Sequence, residues 1–218
     1  MSIRVVIVDD QQLIRTGLAM VVDSCEDMTV VGEAADGAAA VELLATTPAD
    51  VVLMDVQMPR LNGVDATAAI TARDGAPRVI VLTTFDLDEY AYAALRAGAS
   101  GFLLKDASAE EVITAIRTVH AGDAVLAPST TRRMLEHLAD TAPRPRDDDA
   151  VAALTERERV VLVEIANGFA NPEIARRLYL SEATVKTHVG RVLAKLGLRD
   201  RVQAVIFAYD HGLVRPRR

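Results

Sequence analysis

Four apolar runs in this chain each end in a residue that can handle phosphate or a divalent cation. Asp9 and Asp10 follow Ile3 to Val8, Asp55 follows Val51-Val52-Leu53-Met54, Thr83 closes Arg78 to Leu82, and Lys105 follows Gly101 to Leu104. Three carboxylates brought together repel one another, so such a cluster holds a proton or recruits a cation. A hard divalent ion suits oxygen ligands, and Mg²⁺ is usual where a few carboxylates are supplemented by water and phosphate oxygens. In that setting Asp55 could attack phosphorus to give an aspartyl phosphate. The metal and the Lys105 ammonium would neutralise charge on the transferring group, and Thr83 would offer a hydroxyl to a phosphate oxygen.

Singly, each residue has a plainer role. Asp9 and Asp10 could cap a helix, Asp55 could turn the chain into the next loop, Thr83 could end a strand, and Lys105 could reach solvent. Together they are more specific, because four separate strand ends supply what one reaction needs.

The elements that must position them follow from pattern. Val51 to Met54, after Thr47-Pro48-Ala49-Asp50, is long enough for a strand buried on both faces and too short for a helix. Strands are expected at Ile3 to Val8, Thr29 to Ala34, Val51 to Asp55, Arg78 to Thr83 and Gly101 to Lys105. Helices are expected over Gln11 to Val22, Asp36 to Leu44, Val64 to Arg73, Leu87 to Arg96, and from the capping box Ser108-Ala109-Glu110-Glu111 through Val119. Strict alternation implies a parallel sheet covered on both faces, and the flavodoxin-like (βα)5 order is a common solution. All strands then point their carboxyl ends to one rim, where open α/β sheets bind ligands.

The net charge of −7 conceals a split. Residues 150–218 hold 12 Lys and Arg against 7 Asp and Glu, whereas residues 1–149 hold 12 against 24. An acidic front and a basic tail suggest two domains with different partners, the tail's being a polyanion. No apolar run approaches the ~18 residues of a membrane span, and the N-terminus reads as a first strand, not a signal peptide. A single cysteine, Cys25, permits no internal disulfide, which suits a reducing cytosol; it is expected to pack at a helix end.

Domains are expected at 1–121, with a helix and flexible linker over 122–150, and at 151–218. Pro128 to Ala139 could form a helix, and the prolines and charge block of residues 141–149 read as linker. Beyond it, Thr155 to Glu158 is a capping box, Asn171-Pro172 is an expected N-cap with proline at N1, Ser181 caps a third helix to about Leu196, and Asp200 begins a fourth. The middle pair, joined by Tyr179-Leu180, has the tight connection of a helix-turn-helix. The third helix leaves Lys186, Thr187, Arg191 and Lys195 on or near its polar side, with His188 close to them. An ordinary amphipathic helix accounts for that pattern as well as a DNA-reading one does.

Wording separates the two. Val8-Asp9-Asp10, Leu53 to Pro59 with Gly63, Leu82-Thr83-Thr84 and Gly98 to Lys105 resemble the receiver domain of bacterial two-component response regulators. Leu154 to Glu158, Asn171 to Ala175 and Leu180 to Val189 resemble the LuxR-type helix-turn-helix, so the whole chain is similar to the NarL/FixJ family of response regulators. The resemblance implies Asp55 as phosphoacceptor, Asp10 and Asp55 as Mg²⁺ ligands with Asp9 assisting through water, and the Gln57 main-chain carbonyl as a further ligand. It also implies a switch through Thr83 and Phe102, where Phe102 replaces a common tyrosine and so lacks the hydroxyl. Asp106 stands where many receivers have proline, which removes the usual reason for a cis bond there. For the tail it implies DNA contacts by Thr184, Lys186, Thr187, His188, Arg191 and Lys195, with Gly190 where some relatives place a base-contacting side chain. The partners implied are a sensor histidine kinase, double-stranded DNA, and a second copy of the chain when phosphorylated or on DNA. A non-enzymatic, cytoplasmic transcription regulator is expected. An Asp-nucleophile hydrolase would normally carry a second Asp two residues after the nucleophile, where this chain has Gln57.

Overall fold

The computed structural model describes residues 2–83, 88–122 and 149–214. The chain divides into two compact units, residues 1–127 and 128–218.

In the first unit, five parallel strands alternate with five helices. They are β1 (Ile3–Val8), α1 (Gln12–Asp23), β2 (Met28–Ala34), α2 (Gly37–Thr46), β3 (Val51–Asp55), α3 (Gly63–Thr71), β4 (Arg78–Thr83), α4 (Asp88–Arg96), β5 (Gly101–Leu104) and α5 (Ala109–His120). The sheet order is β2-β1-β3-β4-β5, the flavodoxin-like order. Every residue of β3 is buried, as expected of a central strand covered on both sides. Side chains alternate across the sheet. Val5, Ile7, Leu53 and Ile80 join Val112, Ile116 and Val119 of α5 in one cluster, each large aliphatic side chain contributing about 1.5 to 3 kcal/mol by leaving water. Cys25, just past α1, packs against that cluster half-buried. Pairing of Asp55 with Leu82, and of Thr83 with Leu104, aligns the strand ends at one rim. The Ser108–Glu111 capping box opens α5.

The second unit is helical: α6 (Asp149–Ala152), α7 (Glu156–Ala166), α8 (Asn171–Leu178), α9 (Glu182–Leu196) and α10 (Arg201–Asp210). Val161, Leu162, Ile165, Ile174, Val185, Val192 and Val202 make its core. Thr155, Ser181 and Asp200 cap their helices through side-chain oxygens.

Three expectations are corrected or fall outside. Asn171 is the first residue of α8, not its cap. Ala170 holds that place; its N–H donates to the Glu173 carboxylate at 2.8 Å, while the Asn171 amide oxygen accepts from Arg201 at 2.9 Å. The stretch read as linker ends earlier than expected, because Asp149 already begins α6. The helix expected from Pro128 lies outside the described residues.

Candidate functional site

At the shared rim, β1, β3 and β5 bring three expected residues into direct contact. The Lys105 ammonium lies 2.6 Å from Asp9 Oδ2 and 2.9 Å from Asp55 Oδ2. All three side chains are at least nine-tenths buried. Asp10 is exposed, and one oxygen from each of Asp9, Asp10 and Asp55 falls within 4.8 Å of the others. Local bonds fix the ring: Gln11 N–H donates to Asp9 Oδ1 at 2.9 Å, Arg15 donates to the Asp9 carbonyl at 2.7 Å, and Lys105 N–H donates to the Thr83 carbonyl at 2.7 Å. Thr83 and Phe102 are both buried; Thr83 closes β4 at the pocket end, and Phe102 lies two residues before the corresponding end of β5, paired with Val81.

In the second unit, Lys186, Thr187 and Arg191 are exposed on one side of α9. Several of the expected DNA-contacting side chains also bond within the unit. Thr184 Oγ1 is 2.8 Å from Ser181 Oγ within the helix cap, and Thr187 Oγ1 donates to the Ala183 carbonyl at 2.9 Å. His188 is half-buried. Lys195 donates to Glu158 Oε2 at 2.7 Å and to the Ala153 carbonyl at 3.3 Å, tying the last turn of α9 to the start of α7. Tyr179, expected in the connection between the middle helices, ends α8 in left-handed backbone with 96% of its surface exposed.

The model of the response regulator receiver domain matches residues 5–117, and that of the bacterial regulatory proteins of the luxR family matches residues 152–208. The chain belongs to the LuxR-type response regulators. The regulator is 42% identical over 213 residues to the uncharacterized transcriptional regulatory protein YxjL of Bacillus subtilis strain 168, covering 98% of each chain. It is 40% identical over 216 residues to the transcriptional regulatory protein LnrK of the same strain, covering 97% of this chain and 98% of that one. Among solved structures, the response regulator ChrA of a heme-sensing two-component system shares 36% identity at a TM-score of 0.53, over 98% of this chain and 99% of that one. The homologues are transcriptional regulators built from a receiver and a LuxR-type DNA-binding domain.

Electrostatics of the regulator's pocket follow from burial and proximity. Burial pushes the Asp55 carboxyl above the usual carboxylate range; the hydrogen bond and charge of Lys105 oppose this, and the Asp9 charge adds to it. Burial alone would lower the Lys105 ammonium, but hydrogen bonds and charges from Asp9 and Asp55 outweigh it and carry it upward. The acids therefore hold Lys105 charged, and Lys105 offsets part of their mutual repulsion. The donor set is entirely oxygen, and Asp9 Oδ2 accepts no hydrogen bond beyond its ion pair with Lys105. Such a set fits a hard divalent cation. The regulator's β3–α3 loop passes the pocket with Gln57 exposed, its N–H donating to Asp55 Oδ1 at 3.4 Å. Every peptide bond among the described residues is trans, that between Lys105 and Asp106 included.

Proposed function

We propose that Asp55 accepts a phosphoryl group from a sensor histidine kinase and that its occupancy governs binding of promoter DNA by α9. The observation that carries this is one ammonium bridging two buried carboxylates at the carboxyl ends of a parallel sheet. An ordinary buried ion pair needs one acid; the second acid, with exposed Asp10 beside it, makes a surplus of negative charge open to solvent on one side.

The chain's residues divide the work. An oxygen of Asp55 forms the new bond to phosphorus as the bond to the donor's leaving group breaks, the electron pair departing with that group. Asp55 must be ionised to attack, and Lys105 favours that form. Lys105 then stands where the phosphoryl oxygens gain charge, and Thr83 at the end of β4 can supply its hydroxyl to them. Asp9, Asp10, Asp55 and the Gln57 carbonyl are the groups that would hold Mg²⁺, which supplies charge neutralisation and in-line orientation when bound. Phe102, buried on the neighbouring strand two register positions before the partner of Thr83, is the side chain that would follow Thr83 when it turns inward.

On the second unit, Lys186 and Thr187 face bases or nearby phosphates and Arg191 contacts phosphate, with Thr184 and His188 at the margin of that surface. Two half-sites spaced by a helical turn would call for a second copy of the chain on DNA. No helix among the described residues is long and apolar enough to cross a membrane; together with a DNA target, that supports a cytoplasmic setting and no membrane partner.

Exposure to radiolabelled acetyl phosphate and Mg²⁺ tests the assignment. One phosphoryl group per chain is expected, absent in Asp55→Asn, with no turnover of exogenous phosphate esters. A label persisting in that variant would move the nucleophile elsewhere.

A further inference from the structure

Asp36 carries a charge that its visible duty does not need. It is the N-cap of α2, and its Oδ1 accepts from Ala39 N–H at 3.0 Å. Asparagine serves that purpose equally well. Yet Asp36 is 1% exposed, and its other oxygen is paired with the guanidinium of Arg60.

Arg60 belongs to the loop between β3 and α3 and has a φ of +65°. Leu61 N–H donates to the Pro59 carbonyl at 2.8 Å, so Pro59-Arg60-Leu61 close a three-residue turn of the rare, strained hand. A long side chain stands where glycine would be at ease. Backbone strain of this kind persists only where surrounding contacts impose it, and it gathers at working sites.

The contacts that impose it are at hand. Gly37 N–H donates to the Leu61 carbonyl at 3.1 Å, and a Cβ on Gly37 would come within 2.5 Å of that oxygen. At the root of the loop, Gly63 N–H donates to the Val56 carbonyl at 2.9 Å, and a Cβ on Gly63 would lie 1.9 Å from the Asp55 carbonyl oxygen. Gln57 and Met58 are therefore strung between a root fixed on Asp55 and a crown fixed on the first turn of α2.

We propose that the Asp36–Arg60 pair is a latch that holds the strained turn closed and so sets where the Gln57 carbonyl stands beside Asp9, Asp10 and Asp55. Both are positioning residues for the divalent cation, acting through the loop backbone; the proposal rests on the cation site described above.

Two variants separate positioning from mere stability. Asp36→Asn keeps the capping oxygen and removes the charge facing Arg60. Arg60→Gly removes the guanidinium while relieving the positive φ. Thermal unfolding without Mg²⁺ shows whether each is folded. Calorimetric titration of MgCl2 into the full chain is then expected to give dissociation constants raised about tenfold in both, the scale of losing an outer partner of a metal ligand. Arg60→Lys, which can still pair with Asp36, should recover most of the affinity. Phosphorylation by acetyl phosphate at saturating Mg²⁺ should return close to the unsubstituted rate, because Asp55 and Lys105 are untouched. Unchanged Mg²⁺ affinity in folded Asp36→Asn and Arg60→Gly overturns the latch alone. Absence of binding to the unsubstituted chain overturns the cation site, and the latch with it.

Discussion

The Lys105 ammonium and the Asp55 carboxylate lie 2.9 Å apart, both almost fully buried, and the ammonium is the chief influence holding that carboxylate ionised. Lys105→Met, which keeps the length of the side chain, should leave Asp9 and Asp55 as uncompensated acids and cost up to about 3 kcal/mol at pH 7. The pH dependence has a definite sign. The folded Asp55 carboxyl already stands above its ordinary value and would rise further without the ammonium. A carboxyl so raised favours the protonated folded state, so stability returns as pH falls through its folded pKa toward the unfolded carboxylate value. Thermal melts of the two proteins should converge as the pH falls from neutral toward the ordinary carboxylate range. A gap that does not vary with pH would mean that Lys105 contributes packing only.

Lys186 and Lys195 lie on the same helix but should answer differently to removal. Lys186→Ala is expected to weaken binding of a DNA site and to lower the slope of log affinity against log salt by about one. Lys195→Ala should leave that slope unchanged and lower thermal stability instead. Its partner Glu158 is held at a pKa of about 2, first by the Lys195 hydrogen bond and then by the Thr155 N–H. A carboxylate so lowered supplies stability that is present above its unfolded value and lost as pH falls toward the folded one. The stability difference between Lys195→Ala and the unsubstituted chain should therefore close as pH falls from 4.5 toward about 2. Anisotropy titrations over a salt series settle the first point and acid melts the second.

Gly190 sits mid-helix in α9, and a Cβ there would meet nothing within 4 Å. Gly190→Ala is therefore expected to raise stability by about 0.8 to 1.0 kcal/mol through helix propensity alone. If the bare backbone is needed for close approach to DNA, the same variant will bind its site less tightly despite the firmer helix. A melt and a binding titration on one preparation read both.

Tyr179 occupies left-handed backbone, φ 54° and ψ 47°, while burying almost none of its ring. Asparagine tolerates that conformation better, and no packing is lost in the exchange. Tyr179→Asn should raise the unfolding free energy by about 1 kcal/mol. A lower melting temperature would mean that the ring makes a stabilising contact.

Much of the pocket was legible from residue order, because strand ends in a parallel sheet share one rim and the alternation of elements reveals the sheet. Asp9, Asp55 and Lys105 could thus be placed together although Lys105 lies 50 residues beyond Asp55. Helix caps at Ser108, Thr155, Ser181 and Asp200 were equally plain, since a cap and its target amide are three residues apart or fewer. The pairing of Lys195 with Glu158 was not legible, because periodicity reports which face of a helix is polar and not which neighbour awaits it; Glu158 is 37 residues away on α7. Asn171 yielded its expected cap to Ala170 for a like reason, its amide facing Arg201 30 residues on.

The order of residues by itself determined the alternating α/β unit, the helical unit behind it, and the acids and lysine that meet, since all of these follow from local period and strand direction. Only the tertiary structure decided that Arg60 should bend against its preference to reach a buried Asp36, and that Lys195 should pair with Glu158. Such pairings depend on the distance between elements once packed, and no local pattern along the chain encodes that distance.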